Sequence, residues 1–430
     1  MYIYPIKGLR PTQLREATLT RHGFPYDRRF MILKINQSPD GTRSEPESES
    51  QSLQKMQVSS HPEMTLFFTE MVLPENQSQG GGKIIVTYRP RGTHDNDSEG
   101  VKKLEIPLQP DVSGLKEVEI NLHNSPTTAY DMGPEFDDWF SACFGYRVVL
   151  VYLGGYSRAV LGSLAPGKSP LHGVPRATGT ATGTGIWKEF LCGPVAAVAG
   201  VAFTFYLLNA YGYAGLGYGH LLMTTLVSVA FWAWQSRRDI YASLRLAKGG
   251  KEERITFSDH AAYLVVSETS LQNVSDRLKD GDMDITKFRP NIVLSGAETP
   301  FEEDFWAVLR IGSKEEKRQA RLLLTANCGR CQSINVDFST GKFGTGESGT
   351  VLKKLMGDRR VDRGSKWSPI FGRYGFLDRA SGLGGVGVRV GDEVIVERRA
   401  DSRTVFGRSM VLFAWLDCVA DSVDWPGLST

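Results

Sequence analysis

Two thiols three residues apart, Cys328 and Cys331, carry the chain's strongest chemical potential, and they lie in the stretch Thr325-Ala326-Asn327-Cys328-Gly329-Arg330-Cys331-Gln332-Ser333-Ile334-Asn335-Val336-Asp337. A thiolate is both a soft metal ligand and a nucleophile, and an adjacent cation such as Arg330 favours the ionised form. The apolar run Leu322-Leu323-Leu324 before the thiols and the run Ile334-Asn335-Val336 after them read as two strands. Cys331 is therefore expected in the loop between them. Three readings stay open at this point. Half of a zinc site needs two more ligands, and Cys143, Cys192 and Cys418 are scattered singly. A thioredoxin-like redox pair should open a helix, whereas an extended Ile-x-Val pattern and the turn Asp337-Phe338-Ser339-Thr340-Gly341 follow here. The plainest alternative is two small side chains packed near a turn.

The elements around this loop read as mainly β with some α. Residues 3–7, 30–35, 64–68, 83–88 and 104–108 are short apolar or alternating runs separated by turn residues, hence strands. Residues 38–57, 77–82 and 89–100 are rich in Ser, Glu, Gly, Asn and Asp and read as loops. An amphipathic helix follows, with Pro134 in its first turn, Phe136, Trp139, Phe140 and Cys143 at helical spacing, and Gly145 as its stop. Residues 146–152 read as a buried strand. In the second half, strands are expected at 261–267, 288–294 and 306–311, and Ser267 caps a helix with Leu271, Val274 and Leu278 on one face. Val388 to Val396, broken by Gly391-Asp392, reads as a hairpin.

Composition narrows the classes of function. The chain has 430 residues, 23% charged residues and a net charge of +2, enough for two or three domains with ample core. No basic block or aromatic-basic interleaving favours nucleic acid as a partner. Five cysteines in this length point to a reducing compartment rather than a disulfide framework.

Asn-Cys-x-Arg-Cys followed by Asn-Val-Asp and a Ser-Thr-Gly turn resembles the cofactor loop of MOSC-domain proteins, a family that takes its name from the C-terminal domain of molybdenum cofactor sulfurases and includes the mitochondrial amidoxime-reducing components. Further segments match in the same order: Tyr4-Pro5-Ile6-Lys7-Gly8, Tyr26-Asp27-Arg28-Arg29-Phe30, Phe257-Ser258-Asp259, Phe288-Arg289-Pro290-Asn291-Ile292-Val293 and Ser368-Pro369-Ile370-Phe371-Gly372. The resemblance implies an α+β fold that is mainly β. A MOSC-type β-barrel at 250–415 would follow an N-terminal MOSC-associated β-rich domain at 1–160.

It also implies a molybdenum-pterin cofactor (Moco). Cys331 would be the protein ligand to molybdenum, while Lys7, Gly8, Arg28, Arg289, Asn291 and Arg330 hold the cofactor and Ser258 and Asp259 lie near the metal or pterin, Asp259 with a catalytic part. The residue types suit such a cofactor, with a thiolate for the soft metal and guanidinium forks for phosphate and planar heterocycles. The plainer reading of Lys7 and Arg28 is charge at a strand edge. Gly8 departs from the family pattern, where serine is usual, so any cofactor contact there must come from backbone N–H, or be missing.

The resembling enzymes reduce N-hydroxylated small molecules such as amidoximes, with electrons from cytochrome b5 and its flavin reductase. No haem, flavin or dinucleotide signature is visible in this chain, so an external carrier is expected here too. The alternative is a non-catalytic cofactor carrier or sulfur-handling module.

Residues 190–235 contain no Lys, Arg, Asp or Glu. Following a linker at 161–188, the segment 189–236 is expected to form a transmembrane helical hairpin, its first run long enough for the roughly 20 residues a crossing needs. Trp187, Tyr211, Tyr213, Trp232 and Trp234 resemble interface anchors, and Lys188 with Arg237-Arg238 favours both ends on the cytosolic side. The two halves must share one cofactor, which requires an even number of crossings. The chain opens on a strand motif without a leader-like stretch, so attachment is expected within the chain, with the mitochondrial outer membrane as the candidate location.

Overall fold

The computed structural model describes residues 1–36, 52–73, 81–92, 100–169, 171, 252–279, 281–312, 319–382 and 384–406. In the first half the elements are β1 (Ile6–Lys7), β2 (Glu16–Leu19), β3 (Phe30–Asn36), β4 (Ser52–Lys55), β5 (Phe67–Val72), β6 (Lys83–Tyr88), β7 (Lys102–Pro107), β8 (Glu117–Leu122), β9 (Ser125–Asp131), α1 (Pro134–Phe144), β10 (Val148–Tyr152) and β11 (Arg158–Ala159). The second half contains β12 (Arg254–Ile255), β13 (Tyr263–Ser267), α2 (Glu268–Ser275), β14 (Ile292–Leu294), β15 (Trp306–Ile311), β16 (Ala320–Gly329), α3 (Val351–Met356), β17 (Ile370–Leu377), β18 (Val386–Arg389) and β19 (Val394–Arg399).

Two six-stranded sheets organise these elements. The first runs β8-β9-β10-β3-β1, with β4 also on β3, and the second runs β14-β13-β17-β16-β15-β19. Strands β10, β13 and β17 are buried at every residue; β10 and most of β13 are accordingly continuous apolar runs, while β17 also buries Arg373, which donates to Asn327 Oδ1 at 2.7 Å. Strands β13 and β14 pair in parallel, Val265 opposite Ile292, and α2 supplies the crossover that a parallel pair requires. Helix α1 keeps Pro134 in its first turn and ends on Gly145, whose φ of 79° is left-handed and whose N–H reaches Ser141 O at 2.8 Å.

The opening segment belongs to the core of the second half. Ile3, Leu19 and Phe24 pack with Tyr263, Leu324 and Phe376 in one buried cluster, each such side chain contributing roughly 1.5–3 kcal/mol. Tyr2 N–H donates to Asn291 O at 2.9 Å, and β2 pairs with β18, Leu19 opposite Val386. The end of β1 and the turn before β3 are thereby carried to the second sheet.

Several expectations are corrected. The transmembrane hairpin does not stand as part of the fold: among the described residues no helix is long and apolar enough to cross a membrane. Helices α1 to α3 have 11, 8 and 6 residues against the roughly 20 needed, and residues 189–236 lie outside the described residues. The fold is mainly β with few helices. Strands β18 and β19 do not form a hairpin. The turn between them exists, Asp392 N–H to Arg389 O at 3.1 Å, but β18 pairs with β2 and β19 with β15. A turn motif specifies a local reversal, whereas strand partners are chosen by burial. Ser52–Lys55, expected in a loop, is a strand on β3. Residues 285–288 form a 3-10 turn and the strand starts only at Ile292.

Candidate functional site

Strand β16 ends at Gly329, and Cys331 starts the 3-10 turn Gln332–Asn335. Cys331 is thus in a loop, as expected, but Ile334 belongs to that turn and not to a strand. The backbone sets the two thiols apart. Cys328, still on β16, is buried, while Cys331 is exposed and its Sγ lies 3.2 Å from Ser333 Oγ. Arg330 gives its hydrogen bonds to groups other than Cys331. Its Nη1 donates to Cys328 Sγ at 2.7 Å, its Nη2 donates to Phe288 O, and the guanidinium lies 5.2 Å from the Phe288 ring centre.

Opposite the thiols stand two arginines in left-handed backbone, Arg28 at φ 50° and Arg289 at φ 55°. Both guanidiniums lie on the buried ring of Tyr4, 4.7 Å and 4.3 Å from its centre, a cation–π arrangement that spaces two like charges with one ring. Arg28 is further held by Asp27, by Asn291 Oδ1 at 3.2 Å and by Arg289 O at 3.2 Å. Arg289 Nη1 donates to Leu9 O at 3.0 Å and Gly8 O at 3.4 Å. Its Nη2 is buried without a partner. Burial, reinforced by Arg28, lowers the Arg289 pKa to about 10.

Asn291 is fully engaged. Its Oδ1 accepts from Arg28 and from Leu264 N–H, and its amide donates to Tyr2 O and Asp27 Oδ2, using both its donors and both its lone pairs. It is a strut for Arg28. Gly8 has a φ of 93°, and a Cβ there would lie 2.3 Å from Met64 Cε. The contribution of Gly8 to the site is its backbone carbonyl, which accepts from Arg289 at 3.4 Å.

Lys7 is buried, donates to Phe257 O at 2.9 Å and forms an ion pair with Asp259. Burial lowers the Lys7 pKa against the opposing pull of Asp259. Burial pushes the Asp259 carboxyl up, but Lys7 and His123 outweigh it and hold the group well below the usual carboxylate range. Ser258 Oγ turns inward to Thr256 Oγ1 at 3.1 Å.

Arg28, Ser258, Asp259, Arg289, Asn291, Arg330 and Cys331 line one cleft of about 570 Å³, solvent at its mouth included. Lys7 and Gly8 are not in its wall and act on it through Asp259 and Arg289. The cleft presents an exposed thiol and an unpartnered guanidinium N–H, a pairing suited to a ligand with a soft metal and an anionic or polar heterocyclic part. Among the described residues no three metal-ligating side chains converge. Tyr4 and Arg158 were not anticipated from sequence. Tyr4 had a signal, its place in Tyr-Pro-Ile-Lys; Arg158, in an unremarkable stretch, had none.

Residues 252–395 match the family model of the MOSC domain, and residues 1–147 match that of the MOSC N-terminal beta barrel domain. The chain is 36% identical over 137 residues to mitochondrial amidoxime-reducing component 1 of Danio rerio, covering 32% of this chain and 38% of that protein. It is 34% identical over 147 residues to the Homo sapiens protein of the same name, covering 33% and 39%. Molybdenum cofactor sulfurase of Arabidopsis thaliana is 31% identical over 155 residues, covering 33% of this chain and 17% of that protein. The matched region thus spans well under half of each of these relatives. These two domain matches, which together cover more than half of the chain, show that it belongs to the MOSC-domain family.

Proposed function

We propose that this chain is a molybdenum-cofactor-dependent oxidoreductase that reduces N-hydroxylated small molecules, such as amidoximes, with electrons from an external carrier. The observation that carries this reading is the shared cleft of exposed Cys331 and the unpartnered Nη2 of Arg289. Cys331 is the ligand to molybdenum. Arg289, and Arg28 braced by Asn291 and Asp27, hold the polar and anionic part of the cofactor; Arg330 holds the Cys331 loop through Cys328 and Phe288. When bound, the cofactor supplies two-electron redox chemistry and an acceptor for oxygen. Asp259 keeps a carboxylate at the cleft wall and Lys7 neutralises part of its charge. The resemblance to amidoxime-reducing components puts forward cytochrome b5 with its flavin reductase as the carrier, and a mitochondrial location. The similarity to a molybdenum cofactor sulfurase favours, as a second reading, a cofactor carrier or sulfur-handling module.

Molybdenum content and amidoxime reduction, measured for the wild type and Cys331→Ala purified from cells that make the pterin cofactor, test the assignment. Near-stoichiometric metal is expected in the wild type, with reduction falling by about 100-fold or more in the variant, the upper end of what disturbing a metal's support costs. Reduction that survives Cys331→Ala refutes the ligand role. Molybdenum bound without turnover in the wild type selects the carrier reading.

A further inference from the structure

His123 lies at the turn between β8 and β9, more than 130 positions from Asp259 in the chain. Yet its Nε2 faces Asp259 Oδ1 at 3.4 Å. That nitrogen is buried and has no hydrogen bond of ordinary geometry, so the carboxylate is the group it is aimed at. Lys7 reaches the same oxygen. The imidazole also lies over His260, ring centres 4.9 Å apart.

The placement is built rather than incidental. His123 and Asn124 are the two central residues of the hairpin that joins β8 to β9, Leu122 opposite Ser125, and both are left-handed, φ 54° and 61°, as such a tight hairpin turn requires. Beside this turn lies Arg158, 1% exposed. Its Nη1 donates to Leu122 O at 2.8 Å, beside His123. Its Nε donates to Thr256 O at 3.1 Å, and its Nη2 donates to Ser258 O and, at 3.3 Å, to Asp259 O. One guanidinium therefore clamps the His123 turn to the Asp259 loop. Ser125 Oγ fixes the other side of the turn, donating to Ala159 O at 2.8 Å.

We propose that His123 is a positioning residue of the cleft, acting through Asp259: its Nε2 faces the carboxylate oxygen that Lys7 also reaches, and so helps to hold that carboxylate at the cleft wall. This rests on the oxidoreductase reading above. In that reaction one N–O bond breaks, two electrons arrive from the external carrier, two protons are taken up, and the reduced nitrogen compound (an amidine where the substrate is an amidoxime) and one water leave. A carboxylate at the cleft wall acts on that step only where it is aimed, and His123 and Lys7 fix its aim.

The test uses the full chain with His123→Asn, chosen because asparagine accepts left-handed backbone, together with Asp259→Asn and the double variant. In urea unfolding, the two single changes are expected to be non-additive, the double variant losing less stability than their sum. In the loaded enzyme, His123→Asn is expected to keep the wild-type molybdenum content and to lower kcat with KM unchanged. Additive unfolding changes, or a wild-type kcat in His123→Asn, overturn the proposal. A wild type that holds no molybdenum sinks the oxidoreductase reading alone, and the unfolding cycle, which needs no cofactor, still decides the His123–Asp259 pair.

Discussion

Arg330 is the neighbour of Cys331 in the chain but of Cys328 in space, and the same contrast recurs across the site. Side chains of adjacent loop residues point in different directions, so the charge that stabilises a group comes from whatever the fold brings against it. His260 illustrates the consequence. Burial, with His123, Lys7 and Arg158 adding to it, outweighs the pull of Asp259 and lowers its pKa from 6.5 to about 4. The folded chain therefore keeps His260 neutral where the unfolded chain protonates it. Between those values the unfolded state binds more protons, so stability falls as pH falls through the window from 6.5 to 4. The loss attributable to this one ring is on the order of 2 kcal/mol by about pH 4.5, from about 1.4 kcal/mol per pKa unit. His260→Phe keeps ring contacts with Tyr374 and Phe406 and removes the titration. Urea unfolding at pH 6.5 and 4.5 should show the variant losing less stability than the wild type by that amount; parallel losses would refute the assignment.

Short elements do the positioning. Strands β11 and β12 are two residues each, Arg158 opposite Ile255, yet the side chain of Arg158 donates to four backbone carbonyls in two loops. Burial lowers the pKa of this guanidinium to about 10, which leaves it charged at neutral pH. Arg158→Met fills similar volume but strands those carbonyls, each costing roughly 1–3 kcal/mol when buried without a partner. A loss of about 3–5 kcal/mol in unfolding free energy is expected. A loss below about 1 kcal/mol would mean that the clamp is replaceable. The turn at Gly8 works in the same way: its left-handed backbone aims a carbonyl at Arg289, and Met64 occupies the space a side chain would need.

At the scale of the whole molecule, the described residues up to 171 and from 253 on belong to a first compact unit. After the residues outside the described set, the chain re-enters this unit beside β11. Val160 N–H bonds Glu253 O at 3.0 Å, and the Glu253 carboxylate receives Arg21 at 3.2 Å and Arg379 at 2.7 Å. Those bonds lie within the first unit and do not depend on what is inserted between its two parts. Replacing residues 174–251 with a short Gly/Ser linker should leave a cooperatively melting chain within about 4 °C of the full one, the shift that about 1 kcal/mol produces in a domain of this size. Aggregation or loss of the melting transition would show that the first unit is not self-sufficient.

The sequence by itself determined the strand-rich class, the α1 helix with its proline start and glycine stop, and the segments that line the cleft, because periodicity, turn chemistry and motif order are local properties of the chain. Only the tertiary structure decided which strands pair, that β18 meets β2 rather than β19, and that Ser52–Lys55 joins a sheet. It alone turned Arg330 to Cys328, spent Asn291 on bracing Arg28, and brought His123 to Asp259 through Arg158. These are contacts between residues up to hundreds of positions apart. They are selected by burial and by the need of every buried donor and acceptor for a partner, and no window along the chain records them.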